Sequence, residues 1–301
     1  MPLMPVAPPQ PVAIYSGFDY VTVDAERRRV YAAHSGSQAL LIVNADSGLV
    51  LGQVRVGPLH GVAVDPVTGH VFTGDGDGRS VSEVDPVAMK VLGSADVDGA
   101  PDAIAYDPAT HRVYAPEDDG THMYVVDTTT MKQTASMPLP GHKPEYLVIE
   151  PKSHRLYMNI ANLNEFVIID LNTMNIVKTV KTPDVDYNHP LQLDPGLGHV
   201  YVGGRNGVLA TYDLDGKLLS TTKFQGAFDQ CSVDTVRHNL ACGGGGGLTV
   251  FHDDGTTVTL VAKQPIAEGV HTVGADEKTG YFWTVWASKT GDFVQGFKLS
   301  P

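Results

Sequence analysis

Residues 144–180 read PEYLVIEPKSHRLYMNIANLNEFVIIDLNTMNIVKTV. Four short runs, PEYLVIE, LYMNI, FVIID and MNIVKTV, are rich in β-branched, aromatic and other apolar residues. The polar stretches between them carry Pro, Ser, Asn and Asp, which favour turns. Four β-rich runs with such turns are the pattern of a propeller blade. The unit recurs along the chain at a period of roughly 42 residues. Its first strand returns as FDYVTVD, LHGVAVD, PDAIAYD, PEYLVIE, NHPLQLD, FDQCSVD and VHTVGAD, closing on Asp24, Asp65, Asp107, Glu150, Asp194, Asp234 and Asp276. Polar turns such as AERRR, PVTGH and PATHR follow. Second strands (VYAAH, VFTGD, VYAPE, VYVGG, LACGG) and third strands ending in Asn or Asp (LLIVN, VSEVD, MYVVD, LATYD) come next.

Seven repeats predict an all-β chain folded as a seven-bladed β-propeller. The last repeat supplies only HTVGAD, YFWTVWA and FVQGFKL, so a strand from the N-terminal stretch PVAIY (Pro11 to Tyr15) is expected to complete it. Pairing the first and last segments removes exposed sheet edges. On this reading residues 1–10 are a flexible leader and 11–301 form one domain.

The segments VYAPEDDGTHMYVVDTTTMKQ (113–133) and LYMNIANLNEFVIIDLNTMNIVKTV (156–180) resemble the YVTN-type repeat, in which a "VYV(A/T)N…V.VID..T..V" unit recurs along seven-bladed propellers. Through its repeats the resemblance covers essentially the whole chain. It implies the fold and leaves function open, because such propellers include surface, binding and enzymatic members. Lactonase-like and virginiamycin-B-lyase-like propellers share the architecture, but no catalytic motif of either transfers residue by residue.

Aligning the first strands on their closing carboxylates brings Asp19, His60, Asp102, Glu145, His189, Asp229 and His271 into one register. In a closed ring these side chains surround one mouth of the central channel. The chain holds 34 acidic residues and 12 histidines among 301, so seven of seven at one phase is a poor fit to chance. His60, His189 and His271 are the predicted ligands of a divalent transition metal (zinc, copper or iron), with Glu145 joining them. Three histidines leaving an open position suit a catalytic centre. Asp19, Asp102, Asp229 and Glu145 would orient the imidazoles or serve as general base. The alternative is a structural collar that caps turns around a water-filled channel.

Further candidates lie close by. His34, facing Asp19 in the predicted hairpin, is a possible fourth ligand or proton shuttle, with Asp75 and Glu117 at the matching positions of the next two blades. Tyr20, Tyr146 and Gln230 follow ring residues and could donate to a bound oxyanion. Lys143 could attract an anionic substrate, and so could His142. The run CGGGGG (242–247) either opens the ring or forms a flexible connection. It lacks a following Gly-Lys-Ser/Thr, so it is not a P-loop. His70, His111, His154, His199 and His238 fall on the opposite face as bystanders.

A net charge of −13 disfavours nucleic acid and anionic membranes as partners. A small-molecule substrate remains. The expected function is a metal-dependent lyase or hydrolase acting at the axial mouth. The alternatives are a copper or non-haem iron oxidoreductase on the same site, and a non-enzymatic exported scaffold. Cys231 and Cys242 face each other in the predicted hairpin and can form a disulfide, which fits a periplasmic or secreted protein. Two buried thiols in a cytoplasmic protein are the alternative.

Overall fold

The computed structural model describes residues 2–12, 17–224 and 226–300. It is an all-β, seven-bladed propeller, and each blade is an antiparallel meander. Blade 1 comprises Val21–Asp24, Arg29–His34, Ala39–Asn44 and Val50–Arg55. The next five blades occupy residues 59–96, 105–138, 144–181, 188–223 and 230–265 in turn. Gly274–Asp276, Tyr281–Ser288 and Gly291–Leu299 supply the inner three strands of blade 7.

Alternation of side chains along the strands builds the core between blades. In blade 1, Val30, Ala32, Leu41 and Val43 pack toward Trp283 and Val285 of blade 7. Their neighbours Tyr31, Leu40 and Ile42 pack on Val62, Val71 and Val84 of blade 2. Central strands buried on both faces explain why runs such as LLIVN and FVIID lack an alternating polar residue.

The closing carboxylates are turn devices. Asp194 Oδ1 accepts the amides of Gly196 and Leu197, and Glu150 accepts those of Lys152 and Ser153. Four residues beyond each carboxylate the backbone enters the left-handed region, at Arg28, Gly69, His111, His154, Gly198, His238 and Gly280, with φ between 54° and 79°. From three of these positions the side chain reaches the previous blade's carboxylate: Arg28 to Asp276, His154 to Asp107 and His238 to Asp194. Of the five histidines expected to be bystanders on this face, His154 and His238 are therefore braces between blades, as is His199, which bonds Asp253 of blade 6, while His70 and His111 bond Glu83 and Tyr106 of their own blades.

Closure differs from the sequence reading. Leu3–Pro5 forms the outer strand, pairing Leu3 with Leu299 and Pro5 with Phe297. Gln10–Pro11 pairs the other end of the same strand, at Val294 and Phe293. Residues 3–5 are thus part of the sheet and not a flexible leader. Of the stretch expected to close the ring, Pro11 is paired, while residues 13–15 lie outside the described residues. Burial of Leu3, at 4% exposure, gives this outer strand a hydrophobic anchor that Met4, at 46%, does not have.

Candidate metal centre

Three ring residues, His60, Glu145 and His189, lie within inner strands, and each falls where the register with the neighbouring strand slips by one residue. A β-bulge re-aims the side chain it carries. Asp19, Asp102, Asp229 and His271 sit on the coil leading into their strands. Hydrogen bonds between blades fix the backbone here, from Gly61 N–H to Asp102 O (3.0 Å) and from Gln230 N–H to His271 O (3.1 Å).

Blades 1 to 3 bring Asp19, His60 and Asp102 together. His60 Nδ1 lies 2.7 Å from Asp19 Oδ2 and 3.9 Å from Asp102 Oδ1. Asp19 Oδ1 accepts a 2.7 Å bond from Gln230 Nε2. One ligand atom from each of the three residues lies within 4.8 Å of the others. Cis ligands on an octahedral cation at 2.0–2.1 Å are about 3 Å apart, so small side-chain adjustments would let one cation replace the shared proton. The hydrogen bond to Asp19 raises the His60 pKa to about 9. Burial, then the charge of Asp19, raises that of Asp102 to about 7. A half-buried carboxyl this reluctant to ionise beside another carboxylate is short of positive charge.

Blades 4 to 6 assemble a second group. His189 Nδ1–H donates to the backbone oxygen of Asp229 (2.6 Å), which leaves Nε2 carrying the lone pair. That nitrogen lies 3.1 Å from Glu145 Oε2 and 3.6 Å from Asp229 Oδ1. Burial, then the charge of Asp102, raises the Glu145 pKa to about 8, and burial lowers that of His189. At neutral pH these directions favour a protonated Glu145 beside a neutral imidazole.

The predicted three-histidine centre is not formed. Among the described residues, the group of three with mutually close ligand atoms is Asp19, His60 and Asp102. His60 is held on Asp19, His189 faces Glu145, and His271 Nδ1–H donates to Gly269 O at 2.9 Å. Each imidazole is captured by its own sector of the ring.

His34 is also misplaced by the sequence reading. Fully buried, it pairs with Asp292 (2.8 Å) and stacks on Phe18 (4.2 Å), bracing blade 1 against blade 7. Lys143 is ion-paired with Asp119 and lies 3.9 Å from Asp118. Asp75 and Glu117 accept backbone amides of their own loops, from Gly78 and Thr121. The backbone of His142 donates to Asn162. The glycine run is a tight hairpin turn, with Gly245 and Gly246 at φ 59° and 84° and Gly244 paired to Gly247. It is neither an opening nor a loose connection.

Tyr20 leaves blade 1 to pack with Ala103 and Leu147, its ring centroid 5.4 Å from that of Tyr146 in blade 4. These two tyrosines from distant blades meet beneath the ring. Burial, followed by the charges of Asp102, Asp19 and Glu145, holds the Tyr20 phenol well above its ordinary pKa. It remains a hydrogen-bond donor. The partnership of Gln230 with Asp19 was hidden at the level of sequence, because their separation of 211 residues is spanned only on closure. The Cys231–Cys242 disulfide is present, across directly paired residues.

No protein-family model matches the chain, and no curated protein does. Solved structures do. The chain is similar to Kuenenia stuttgartiensis hydrazine synthase (TM-score 0.82, 16% identity, 93% of this chain and 95% of that one). It is also similar to the RRP9 WD40 repeats (TM-score 0.82, 10% identity, 99% and 98%) and to U3-55K (TM-score 0.81, 10% identity, 99% and 98%). At these identities the likeness shows the propeller fold alone.

Proposed function

We propose that the protein is a metal-dependent enzyme acting on a small molecule at the axial mouth. In this reading Asp19, His60 and Asp102 hold one divalent cation, and Glu145 with His189 moves a proton. The observation that carries it is the convergence of His60 Nδ1, Asp19 and Asp102 within 4.8 Å, half-buried at the mouth. The donor set of two carboxylates and one imidazole suits manganese, iron(II) or zinc better than copper. A bound cation supplies polarisation of a substrate oxygen. Glu145 is placed to give up its proton and His189 to take one, the pairing that a lyase or hydrolase requires.

The repeats support placing the chain among YVTN-type propellers, and the disulfide supports an exported protein. Elemental analysis of protein purified without a His-tag tests the central reading. About one equivalent of metal is expected, lost in folded His60→Ala and Asp102→Asn variants. Absence of metal after reconstitution with Mn2+, Fe2+ and Zn2+ would return the protein to the scaffold class.

A further inference from the structure

We infer that a second binding site lies on the face opposite the ring, in the cleft between blades 1 and 2, and takes a small carboxylate with an apolar body. Arg29 and Tyr31 hold the carboxylate, while Leu51, Val87 and Met89 face the apolar body. The site is separate from the metal-centre reading and does not depend on it.

The cleft has a volume of about 630 Å³, within the range of small-molecule sites. Arg29, Tyr31, Leu51, His70, Val87 and Met89 are among the residues that line it. Arg27 closes one end, its guanidinium donating to Asp24 and to the carbonyl oxygens of Pro66 and Val67. At the other end Met89 reaches over blade 1, where a Cβ added at Gly52 would overlap its Cε.

The repeat itself shows what such a pair of side chains holds. Arg29 and Tyr31 stand five and seven residues beyond the closing carboxylate of blade 1, and Arg155 and Tyr157 hold the same places in blade 4. There the next blade supplies both partners. Arg155 Nη1 donates to Asp215 Oδ1 (3.0 Å) and the Tyr157 hydroxyl to Leu214 O (2.8 Å). Counting from the Asp that ends the third strand, Pro86 and Val87 of blade 2 occupy the places of Leu214 and Asp215. Val87 brings no carboxylate and is 87% exposed. Arg29 Nη1 turns back to the carbonyl oxygens of Arg27 and Arg28, at 3.3 and 3.0 Å. Its Nε and Nη2 make no hydrogen bond among the described residues. The Tyr31 hydroxyl makes none either, although Tyr31 is 0% exposed and lines the cleft. The matching tyrosines are otherwise placed: Tyr201 bonds Asp253 at 2.8 Å, and the Tyr114 hydroxyl is sealed from solvent.

Burial, then the charge of Asp24, raises the Tyr31 pKa to about 12, so the phenol stays a donor. Two donors, one of them cationic, call for an anionic acceptor, and a carboxylate has lone pairs for both. Asp85 also lines the cleft, with its Oδ1 capping the amides of Val87 and Ala88. Its charge disfavours a phosphate dianion and leaves room for a single negative charge. Leu51, Val87 and Met89 are exposed apolar side chains at the rim, which a hydrocarbon body would cover.

The probe is 4-phenylbutyrate, compared with its uncharged amide by calorimetric titration. Chelator-treated protein is used, so that no metal at the ring takes the carboxylate. The acid is expected to bind roughly tenfold or more tightly than the amide, the scale of a hydrogen bond to a charged group. Arg29→Gln should lose that advantage, and Tyr31→Phe a smaller part of it. Val87→Asp places a carboxylate where blade 5 has Asp215, and it too should abolish the advantage. That position is exposed, so the variant keeps the fold. Equal affinity for acid and amide, an unchanged advantage in Val87→Asp, or no binding of the acid by wild type overturns the inference.

Discussion

His60 and Asp19, 41 residues apart, are joined by a 2.7 Å hydrogen bond across the boundary between blades 1 and 2. The bond depends on the imidazole's placement, and that placement depends on a glycine. A Cβ added at Gly76 would lie 3.1 Å from His60 Cδ2 and 3.2 Å from Nε2. Gly76 does not have the positive φ that favours glycine, so its role is to make room. Gly76→Ala is expected to shift the ring by a few tenths of an ångström and weaken Mn2+ binding by about tenfold, an effect of the size seen when metal-ligand orientation is disturbed. Calorimetric titration checks it, with thermal unfolding showing a loss below about 1 kcal/mol. Unchanged affinity would mean that His60 is not a ligand.

Glu145 gives a pH dependence of defined sign. Its pKa is raised from 4.5 to about 8, so the folded state holds this proton more tightly than the unfolded chain does. The resulting stability is fully present below about pH 4.5 and is lost as pH rises through about 8. Glu145→Gln keeps a donor toward His189 Nε2 and cannot ionise. The melting temperature of the metal-free variant should therefore gain on wild type by several degrees between pH 5 and pH 9. A difference that does not change with pH would show that Glu145 is ionised throughout.

On the opposite face, His154 and Asp107 pair at 2.8 Å across blades 3 and 4. The hydrogen bond to Asp107 raises the His154 pKa. Asp107 is held below its ordinary range although burial opposes this, because Thr110 and His154 donate to it. The pair's stabilisation is complete between the ordinary values of 3.8 and 6.5. It fades as pH falls through the lowered carboxyl or rises through the raised imidazole. His154→Asn, which tolerates the left-handed backbone, should cost no more than about 1 kcal/mol at pH 5.5 and less at pH 9. Urea denaturation at the two pH values measures the difference.

Blade number and the phase of the ring were legible because both repeat. Each first strand ends on a turn-capping carboxylate, and counting back from it finds the mouth. The grouping of ring residues was not legible. Bulges at His60, Glu145 and His189 turn side chains by amounts that spacing does not encode. Tyr20 illustrates the same limit: its place in its own strand says nothing of a ring lying against Tyr146 three blades away. Cys231 and Cys242 were readable because pairing within one hairpin is local, whereas His34 was misjudged because its partner Asp292 lies 258 residues further on.

The same distance problem hid the closing strand, and its removal makes a decisive test. Beyond the pairing of Leu3–Pro5, Val6 N–H donates to Gly296 O (2.9 Å), Val12 N–H to Asp292 O (2.8 Å) and Ser300 N–H to Pro2 O (3.0 Å). Gln295 Nε2 adds a bond to Ala7 O. Deleting residues 2–9 strips all of these except the Val12 bond and uncovers Phe297. Loss of the buried Leu3 side chain alone is worth about 2 kcal/mol, and the backbone bonds raise the expected cost to roughly 3–5 kcal/mol. The bared edge should also promote self-association, visible by light scattering. Gly296→Ala probes the contact without shortening the chain, since its Cβ would fall 2.8 Å from Val6 Cγ2. A truncated protein that unfolds at the wild-type urea midpoint would show that residues 2–9 do not close the ring.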